Sequence, residues 1–346
     1  MEKLDRSRFA SGLLEASRRL RIPRAATFEL SYGCNLACRH CFNPTHRASP
    51  RELSKSEVFR IVDEIAALGV FELCLTGGEP FLRPDFCDVV ERARSLGLVV
   101  TMNTNATRAT PAAAERLARA GVEGVYASLY GATAPIYESV TGVLGSFARF
   151  EAGLDALTAA GLPVTLQMPL MTLNAREFEV GRAYARARGL GFKFTFEISP
   201  RQDGDLSPLA VRLSPADKLR MVGELDELPG CAGGTDEPPF VDCDCGRAHF
   251  AITPYGEMNL CTVFPTPRYD LRRGSVREGW EVLKKTVDDA RPNARFECPS
   301  CDLRDACRQG RADAWLEARD MSACLPHYKE LARAEKEARG PARSVR

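Results

Sequence analysis

Residues 71–105 have the sequence FELCLTGGEPFLRPDFCDVVERARSLGLVVTMNTN, and this segment indicates the fold class. It contains two short apolar runs, at 71–75 and 99–103, of the kind found in strands that are buried on both faces. A helix-type segment separates them, and Gly97 stands just past its end, where a left-handed C-cap is needed. The segment therefore predicts a strand–helix–strand unit of a parallel sheet.

The same alternation continues on both sides of this unit. Four more strands are predicted at 26–31, 124–129, 164–168 and 192–198. Helix starts are predicted at Ser54 with Glu57, at Thr110 with Pro111, and at Asn174 with Glu177. Six β/α units with short connections predict an α/β fold with right-handed crossovers. Because six units are too few for a closed eight-stranded barrel, we expect an open partial (β/α)6 barrel, with ligands at the carboxyl ends of its strands.

The composition excludes several classes of protein. The chain has 346 residues and a formal net charge of +1, so no general attraction to nucleic acid or acidic membranes is expected. No apolar run approaches the roughly 20 residues of a membrane span. The first 25 residues have a helix-like apolar pattern but lack the uninterrupted apolar run of a signal peptide. We therefore expect a cytoplasmic protein without nucleic-acid or membrane partners.

The thirteen cysteines are the unusual feature of the composition. A disulfide framework is typical of small secreted chains, so ligation of a metal or cluster is favoured here. Cys74, Cys87 and Cys231 belong to no motif, and the first two are predicted to be buried apolar residues of the barrel.

The pattern of the sequence changes after residue 198. Residues 248–253 and 257–261 flank Pro-Tyr-Gly and predict a hairpin. Cysteines are dense beyond it and apolar residues sparse, which predicts a small, irregular C-terminal domain that folds around inorganic clusters. A single last helix is expected over 312–339. The predicted organisation begins with an N-terminal helical extension (1–25) and the barrel (26–198). A linker over 199–239, which contains a bridging helix at 215–228, joins the barrel to the cluster-binding domain (240–330). The end of the last helix and a tail follow (331–346).

Three cysteines follow the first predicted strand directly. Cys34, Cys38 and Cys41 have the spacing C-x3-C-x2-C, on a loop at the carboxyl end of that strand. Structural zinc needs four ligands, and His46 is the alternative candidate for a fourth. Three thiolates on a four-iron cluster would instead leave one iron open to a small molecule, and the spacing favours this interpretation.

This triplet resembles the signature of the radical S-adenosylmethionine (SAM) superfamily, C-x3-C-x-aromatic-C. The resemblance implies a [4Fe-4S] cluster whose open iron chelates SAM, with His40 against the adenine. Residues 77–80, Gly77-Gly78-Glu79-Pro80, resemble the GGEP loop of the family, in which Glu79 would accept a hydrogen bond from the SAM ammonium group. Alone, this tetrapeptide could be an ordinary turn. The resemblance also implies cofactor contacts at the strand ends from Asn103, Asn105, Ser128 and Gln167; a helix cap and a buried serine are the alternatives for the first three.

The later cysteines resemble the SPASM extension of radical SAM enzymes, which normally holds two auxiliary four-iron clusters. The resemblance implies a complete four-cysteine site and a three-cysteine site, and a zinc ribbon is the alternative for the C-x2-C pair. The four-cysteine set is Cys298, Cys301, Cys307 and Cys324, and the three-cysteine set is Cys243, Cys245 and Cys261. Arg311 stands where a further cysteine is expected, and arginine has no lone pair for iron. The three-cysteine site would then take an outside ligand such as Asp244 or His249, hold two irons, or present an open iron near Arg311.

The resemblance implies reductive cleavage of SAM to a 5′-deoxyadenosyl radical that takes hydrogen from a second substrate. The cluster carries this chemistry, so no side chain is assigned a catalytic role. A ribosomally made peptide is the expected substrate, modified by crosslinking, thioether formation or epimerisation, with tetrapyrrole or other small-molecule maturation as the alternative. Thr262 replaces the Asp of sulfatase-maturating members, which counts against that activity. A reductant such as flavodoxin or ferredoxin is expected. The remote alternatives are an electron carrier without catalysis and a zinc-stapled binding protein.

Overall fold

The computed structural model describes residues 6–222, 240–241 and 243–339. The strands are β1 (Ala25–Glu29), β2 (Glu72–Thr76), β3 (Val99–Thr104), β4 (Gly124–Ser128), β5 (Val164–Pro169), β6 (Gly191–Thr195), β7 (His249–Ile252), β8 (Glu257–Asn259) and β9 (Tyr269–Asp270). The helices are α1 (Arg6–Leu20), α2 (Lys55–Ala67), α3 (Phe86–Ser95), α4 (Pro111–Ala120), α5 (Ala134–Thr141), α6 (Ser146–Ala159), α7 (Phe178–Ala187), α8 (Pro215–Val222), α9 (Val276–Asp289), α10 (Arg311–Ala318) and α11 (Pro326–Arg339).

The strands form one sheet in the order β6-β5-β4-β3-β2-β1-β7-β8-β9. Strands β1 to β6 and β7 pair in parallel, whereas β8 and β9 add antiparallel pairs at one edge. Because β6 and β9 are the two ends of the order and do not pair with each other, the sheet is open. The expected partial barrel of class α/β is confirmed, and so is the hairpin, which is formed by β7 and β8.

Alternation along each strand divides the sheet into a core face and a concave face. In β2, Leu73 and Leu75 are fully buried in the core that also contains Val58 and Ile61 of α2. Each such side chain contributes about 1.5–3 kcal/mol when it is removed from water. Cys74 alternates with these leucines and lies on the opposite face, where it is partly exposed. Burial nevertheless raises the pKa of the Cys74 thiol to about 11, so the predicted burial holds for the thiol, whereas the leucines on either side occupy the core.

Two of the three predicted helix starts are confirmed by their caps. The Ser54 side chain accepts a hydrogen bond from the Glu57 backbone N–H in a full capping box, and Thr110 caps α4 ahead of Pro111. Asn174 does precede a short 3-10 helix, Ala175–Glu177, that leads into α7, but its side chain makes no cap hydrogen bond. Its buried amide instead donates to the Tyr130 and Pro169 carbonyls and accepts from the Met171 N–H. It thus satisfies backbone groups beyond β4 and at the end of β5, a tertiary role that the local pattern does not reveal.

The single helix expected over 312–339 is two helices. Arg319 ends α10 in the left-handed conformation, with φ 56°, and Pro326 opens α11. Cys324 therefore lies in the connection between α10 and α11 and not on a helix. Of the bridging helix predicted at 215–228, α8 is present, and its remainder lies outside the described residues, as does Cys231. None of the helices in the described ranges is long and apolar enough to cross a membrane.

Candidate active site at the cysteine loop

The loop after β1 gathers the three cysteines of the first motif. The Cys34 N–H donates to the His46 carbonyl at 3.1 Å, and the Cys41 N–H donates to the Cys38 carbonyl at 3.1 Å. Cys38 is buried, and burial raises the pKa of its thiol, with smaller contributions from the thiols of Cys41 and Cys34. Burial likewise raises the pKa of Cys41 to about 11. The three sulfurs therefore converge at one desolvated spot.

The donor set suits a polynuclear cluster. In a four-iron cluster each thiolate binds a different iron, so the ligands surround a larger body than one zinc ion. Both ring nitrogens of His46, the alternative fourth ligand, are buried without a hydrogen-bond partner.

The glycines at 77 and 78 let the loop after β2 pack on the cysteine loop. The Gly78 N–H donates to the Ser31 carbonyl at 2.6 Å, and the Glu79 N–H donates to the Gly33 carbonyl at 2.8 Å. A Cβ on Gly78 would lie 2.1 Å from the Gly33 oxygen, and one on Gly77 would lie 2.4 Å from the Ser31 oxygen. Gly77 also has φ 139°, which side chains rarely adopt. These glycines are therefore required for the contact between the two loops.

Glu79 is fully buried and is held by three donors. One carboxylate oxygen accepts from the Thr104 hydroxyl at 2.7 Å and from the Phe81 N–H at 3.1 Å, and the other accepts from the Asn105 N–H at 2.7 Å. Burial raises the pKa of Glu79 to about 7, and these hydrogen bonds act in the opposite direction. Pro80 is buried behind it and opens a short 3-10 helix, Pro80–Leu82. The ionised carboxylate has no cationic partner here, so a cationic ligand would stabilise it.

His40 lies beside Tyr130, with ring centroids 5.2 Å apart. Burial, and then the nearby His46, lower the pKa of His40 to about 4, so the ring is neutral at pH 7. Its Nδ1 is buried and has no hydrogen-bond partner. A neutral ring with an unused nitrogen beside a second aromatic ring suits contact with a heteroaromatic base.

The remaining predicted cofactor residues fall in two places. Asn103, Ser128 and Gln167 alternate with core residues, so they lie on the concave face, and the Asn103 amide donates to the Cys74 sulfur at 3.6 Å. Asn105 instead contacts the cysteine loop, since its amide lies 3.2 Å from the Asn35 side-chain oxygen and 3.7 Å from the Cys34 sulfur. The structure thus brings Asn105 next to the thiols and the other three onto the wall of the barrel.

A second buried carboxyl group on the concave side was missed by the sequence analysis. Glu29 is buried at the end of β1, and burial raises its pKa to about 8. Gln202 reaches it at 3.4 Å, accepts from the Tyr32 hydroxyl at 2.8 Å and donates to the Thr262 carbonyl at 2.7 Å. The backbone N–H of Gln202 also donates to the Phe42 carbonyl at 3.0 Å. Glu29 could have been found as a Glu inside an apolar strand, whereas no sequence pattern indicates a role for Gln202.

Lys193 was also missed. It lies on β6 opposite Gln167, and its ammonium is 5.0 Å from the centre of the Tyr126 ring on β4. Its side chain therefore lies across the concave face over β5 and brings a positive charge to the wall that carries Ser128 and Gln167.

The three-cysteine set is brought together in the C-terminal region. The Cys245 thiol is hydrogen-bonded with those of Cys243 and Cys261, and these contacts, the one with Cys243 first, raise its pKa. Neither outside ligand considered from the sequence is free: Asp244 forms an ion pair with Arg18, and the His249 ring lies 3.0 Å from the Thr27 hydroxyl.

The four-cysteine set also converges. Burial raises the pKa of Cys307, with contributions from Cys298 and Cys324, and it raises that of Cys324, with contributions from Cys298 and Cys301. Gln309 holds both neighbours of Cys324 in place. Its side-chain amide donates to the Ala323 carbonyl at 2.7 Å and accepts from the Leu325 N–H at 2.7 Å.

The structure places Arg311 next to the four-cysteine set. The thiol that its guanidinium contacts is Cys298, at 3.8 Å, in the four-cysteine set. The cause is the start of α10 at Arg311, from which the side chain turns back to the Met321 carbonyl at 3.1 Å.

Comparison with known proteins agrees with this geometry. Residues 28–180 match the model of the Radical SAM superfamily. The PqqA peptide cyclase of Streptomyces rochei is 36% identical to the chain, over 88% of each protein. This chain belongs to the radical SAM superfamily. It is accordingly an enzyme that uses a [4Fe-4S] cluster and SAM, and the expected relationship to SPASM-type members is confirmed.

Two further comparisons extend over nearly the whole chain. The AdoMet-dependent heme synthase of Methanosarcina barkeri is 28% identical over 86% of this radical SAM chain and 94% of its own. The structure of Streptococcus suis SuiB bound to the precursor peptide SuiA superposes with a TM-score of 0.69 at 17% identity, over 91% of this chain and 78% of SuiB. At that identity the superposition establishes the fold alone.

Proposed function

We propose that this enzyme modifies a ribosomally made peptide. A carbon of the peptide would give a hydrogen atom to the 5′-deoxyadenosyl radical, which forms 5′-deoxyadenosine. A crosslink or thioether would then require loss of one more electron, to an auxiliary cluster, and of one proton, whereas an epimer would require a hydrogen atom to be returned to the carbon. The observation that carries the proposal is the 36% identity to a peptide cyclase over 88% of both chains. The fold shared with SuiB supports it, since SuiB binds the precursor peptide SuiA.

The cysteine loop would bind the SAM cluster through Cys34, Cys38 and Cys41. When bound, that cluster supplies the electron that cleaves SAM, and a flavodoxin or ferredoxin would deliver it. Glu79 would hold the SAM ammonium group through its desolvated carboxylate, and Gly77, Gly78 and Pro80 would fix the loop that carries it. His40, with Tyr130, would contact the adenine.

Residues of the concave wall would bind the rest of the cofactor and the substrate. Asn103, Asn105 and Ser128 would contact the ribose and carboxylate of SAM, and Gln167 would lie on the adenine side. Beyond them the wall offers the exposed Lys193 to the substrate. These polar side chains suit a peptide, whose amide groups both donate and accept hydrogen bonds.

The C-terminal thiols would bind auxiliary clusters. Cys298, Cys301, Cys307 and Cys324 supply four thiolates and so can complete the ligation of a four-iron cluster. Cys243, Cys245 and Cys261 would hold a second cluster with one iron open, since Asp244 is paired with Arg18 and His249 is turned towards Thr27. The division into a barrel (26–198) and a cluster-binding domain (240–330) is part of the same proposal.

Tetrapyrrole chemistry is the second candidate, favoured by the match to 94% of the heme synthase. The two candidates can be separated with the anaerobically reconstituted enzyme, dithionite and SAM. Synthetic peptides encoded by short reading frames beside the gene form one arm, and a tetrapyrrole carboxylate forms the other. We expect 5′-deoxyadenosine formation to rise with a peptide, together with a change in that peptide's mass. If only the tetrapyrrole is converted, the peptide proposal is refuted.

A further inference from the structure

A positive charge lies against the four-cysteine set. The Nη2 of Arg311 lies 3.8 Å from the Cys298 sulfur, within the range of an N–H···S hydrogen bond. Arg311 is therefore in contact with one of the four thiols in the set.

The guanidinium group is fixed from several sides. It donates to the Met321 carbonyl at 3.1 Å and to the Gln309 carbonyl at 3.3 Å. Its central carbon lies 5.1 Å from the centre of the Phe296 ring and 5.7 Å from that of Phe240, and the two rings meet edge to face. A flat, delocalised cation suits such a site better than an ammonium group does. These contacts hold the guanidinium group in one orientation, with an Nη2–H directed at the Cys298 sulfur.

The position of this cation in the helix is unfavourable by itself. Arg311 is the first residue of α10, where the helix dipole places partial positive charge and disfavours a cation. Nearby thiolates reverse that balance. The Met321 and Gln309 carbonyls, the two phenylalanine rings and the adjacent sulfurs together favour a cation at this position.

We propose that Arg311 tunes the reduction potential of an iron–sulfur cluster held by Cys298, Cys301, Cys307 and Cys324. This inference rests on the auxiliary cluster of the proposed function. Reduction adds one electron, and so one negative charge, to the cluster and its thiolates. A fixed cation and an N–H···S bond stabilise the reduced form more than the oxidised form, because the sulfurs then carry more charge. Arg311 therefore raises the reduction potential of this cluster, so the cluster accepts an electron more readily than it would without the cation.

The experiment is a redox titration followed by electron paramagnetic resonance. It uses the full chain with Cys34, Cys38 and Cys41 replaced by Ala, so that signals come from the auxiliary sites. Cys298→Ser identifies the midpoint that belongs to the four-cysteine set. Arg311→Met is expected to lower the equilibrium constant for reduction about tenfold, which is roughly 59 mV for a one-electron couple. Arg311→Lys keeps the charge without the flat fork and should give an intermediate midpoint.

Arg295→Met is the matched control. It removes one positive charge from the residue next to Phe296, but this side chain is 77% exposed and lies 3.7 Å from Asp320, so the midpoint should not move. An Arg311→Met protein with full iron content and an unchanged midpoint overturns the proposal. If the Met and Lys variants both lose the iron of this set, Arg311 is structural and tuning is likewise refuted. Absence of that iron when Arg311 is intact would instead refute the auxiliary cluster itself.

Discussion

Replacement of Glu79 by Gln isolates the charge that we assign to SAM binding. The two side chains have the same shape, so the change removes the negative charge facing the ammonium group. A charge-assisted hydrogen bond contributes about 1.5–3 kcal/mol, and its loss corresponds to a roughly 10- to 150-fold rise in the Kd for SAM. We expect equilibrium binding of SAM to the anaerobic, cluster-loaded protein to weaken by this factor.

The contacts of Glu79 also predict an effect on stability. Its two oxygens accept from the Thr104 hydroxyl and from the N–H groups of Phe81 and Asn105. The hydroxyl can turn to accept from an amide NH2 group, but the two N–H groups lie on different oxygens, so one loses its acceptor. A buried N–H left unpaired costs about 1–3 kcal/mol, which should appear as a lower free energy of unfolding.

Glu52→Gln is the matched control for this experiment. Glu52 supports the cysteine loop by accepting from the Ser31 hydroxyl at 2.8 Å and from the Tyr32 N–H at 2.9 Å. A Gln can keep its oxygen towards Tyr32 while Ser31 turns to accept, so SAM binding should stay within about twofold. If Glu79→Gln binds SAM as tightly as this control, Glu79 does not hold the ammonium group.

Three other predictions test different parts of the site. Replacing Cys34, Cys38 and Cys41 together by Ala should remove about four irons and abolish 5′-deoxyadenosine formation while the auxiliary iron remains, and continued cleavage would exclude these ligands. Gly78→Ala places a methyl group 2.1 Å from the Gly33 oxygen and should lower the free energy of unfolding by about 1–3 kcal/mol, whereas Gly12→Ala on α1 meets nothing within 4 Å and should not destabilise. The raised pKa of Glu29, about 8, means that the folded state binds a proton more tightly than the unfolded state, so stability falls as pH rises from about 4.5 to 8. Glu29→Gln should reduce that fall in thermal unfolding, and an unchanged slope would contradict the assignment.

The barrel could be predicted from the sequence because each strand carries its own signal. Every predicted strand is present within three residues of its expected ends. The two loop motifs were also predictable, since both follow a strand whose carboxyl end faces the site. The alternation along β2 also predicts that Cys74 lies on the face opposite Leu73 and Leu75.

The errors concern side chains whose partners are distant in sequence. Asn174 matches the pattern of a helix cap, yet it satisfies backbone groups beyond β4 and at the end of β5. The contact of Arg311 with Cys298 could not be predicted either, because it depends on the direction in which α10 begins. Gln202 has no local pattern, and its role depends on three loops that meet only in the folded chain. Local propensity carries no information about such contacts.

The pairing of β7 with β1 has a consequence for dissecting this enzyme. Residues Ala25 to Phe28 pair in register with His249 to Ile252, so the strand that leads into the first cysteine loop is flanked on one side by the C-terminal region. A fragment that ends before β7 would leave β1 as a sheet edge, with unpaired N–H and C=O groups beside the apolar residues Ala26 and Phe28. Such edges invite pairing with other chains. The radical SAM half, expressed alone, should therefore self-associate, and studies of either half are best made by point substitution in the intact chain.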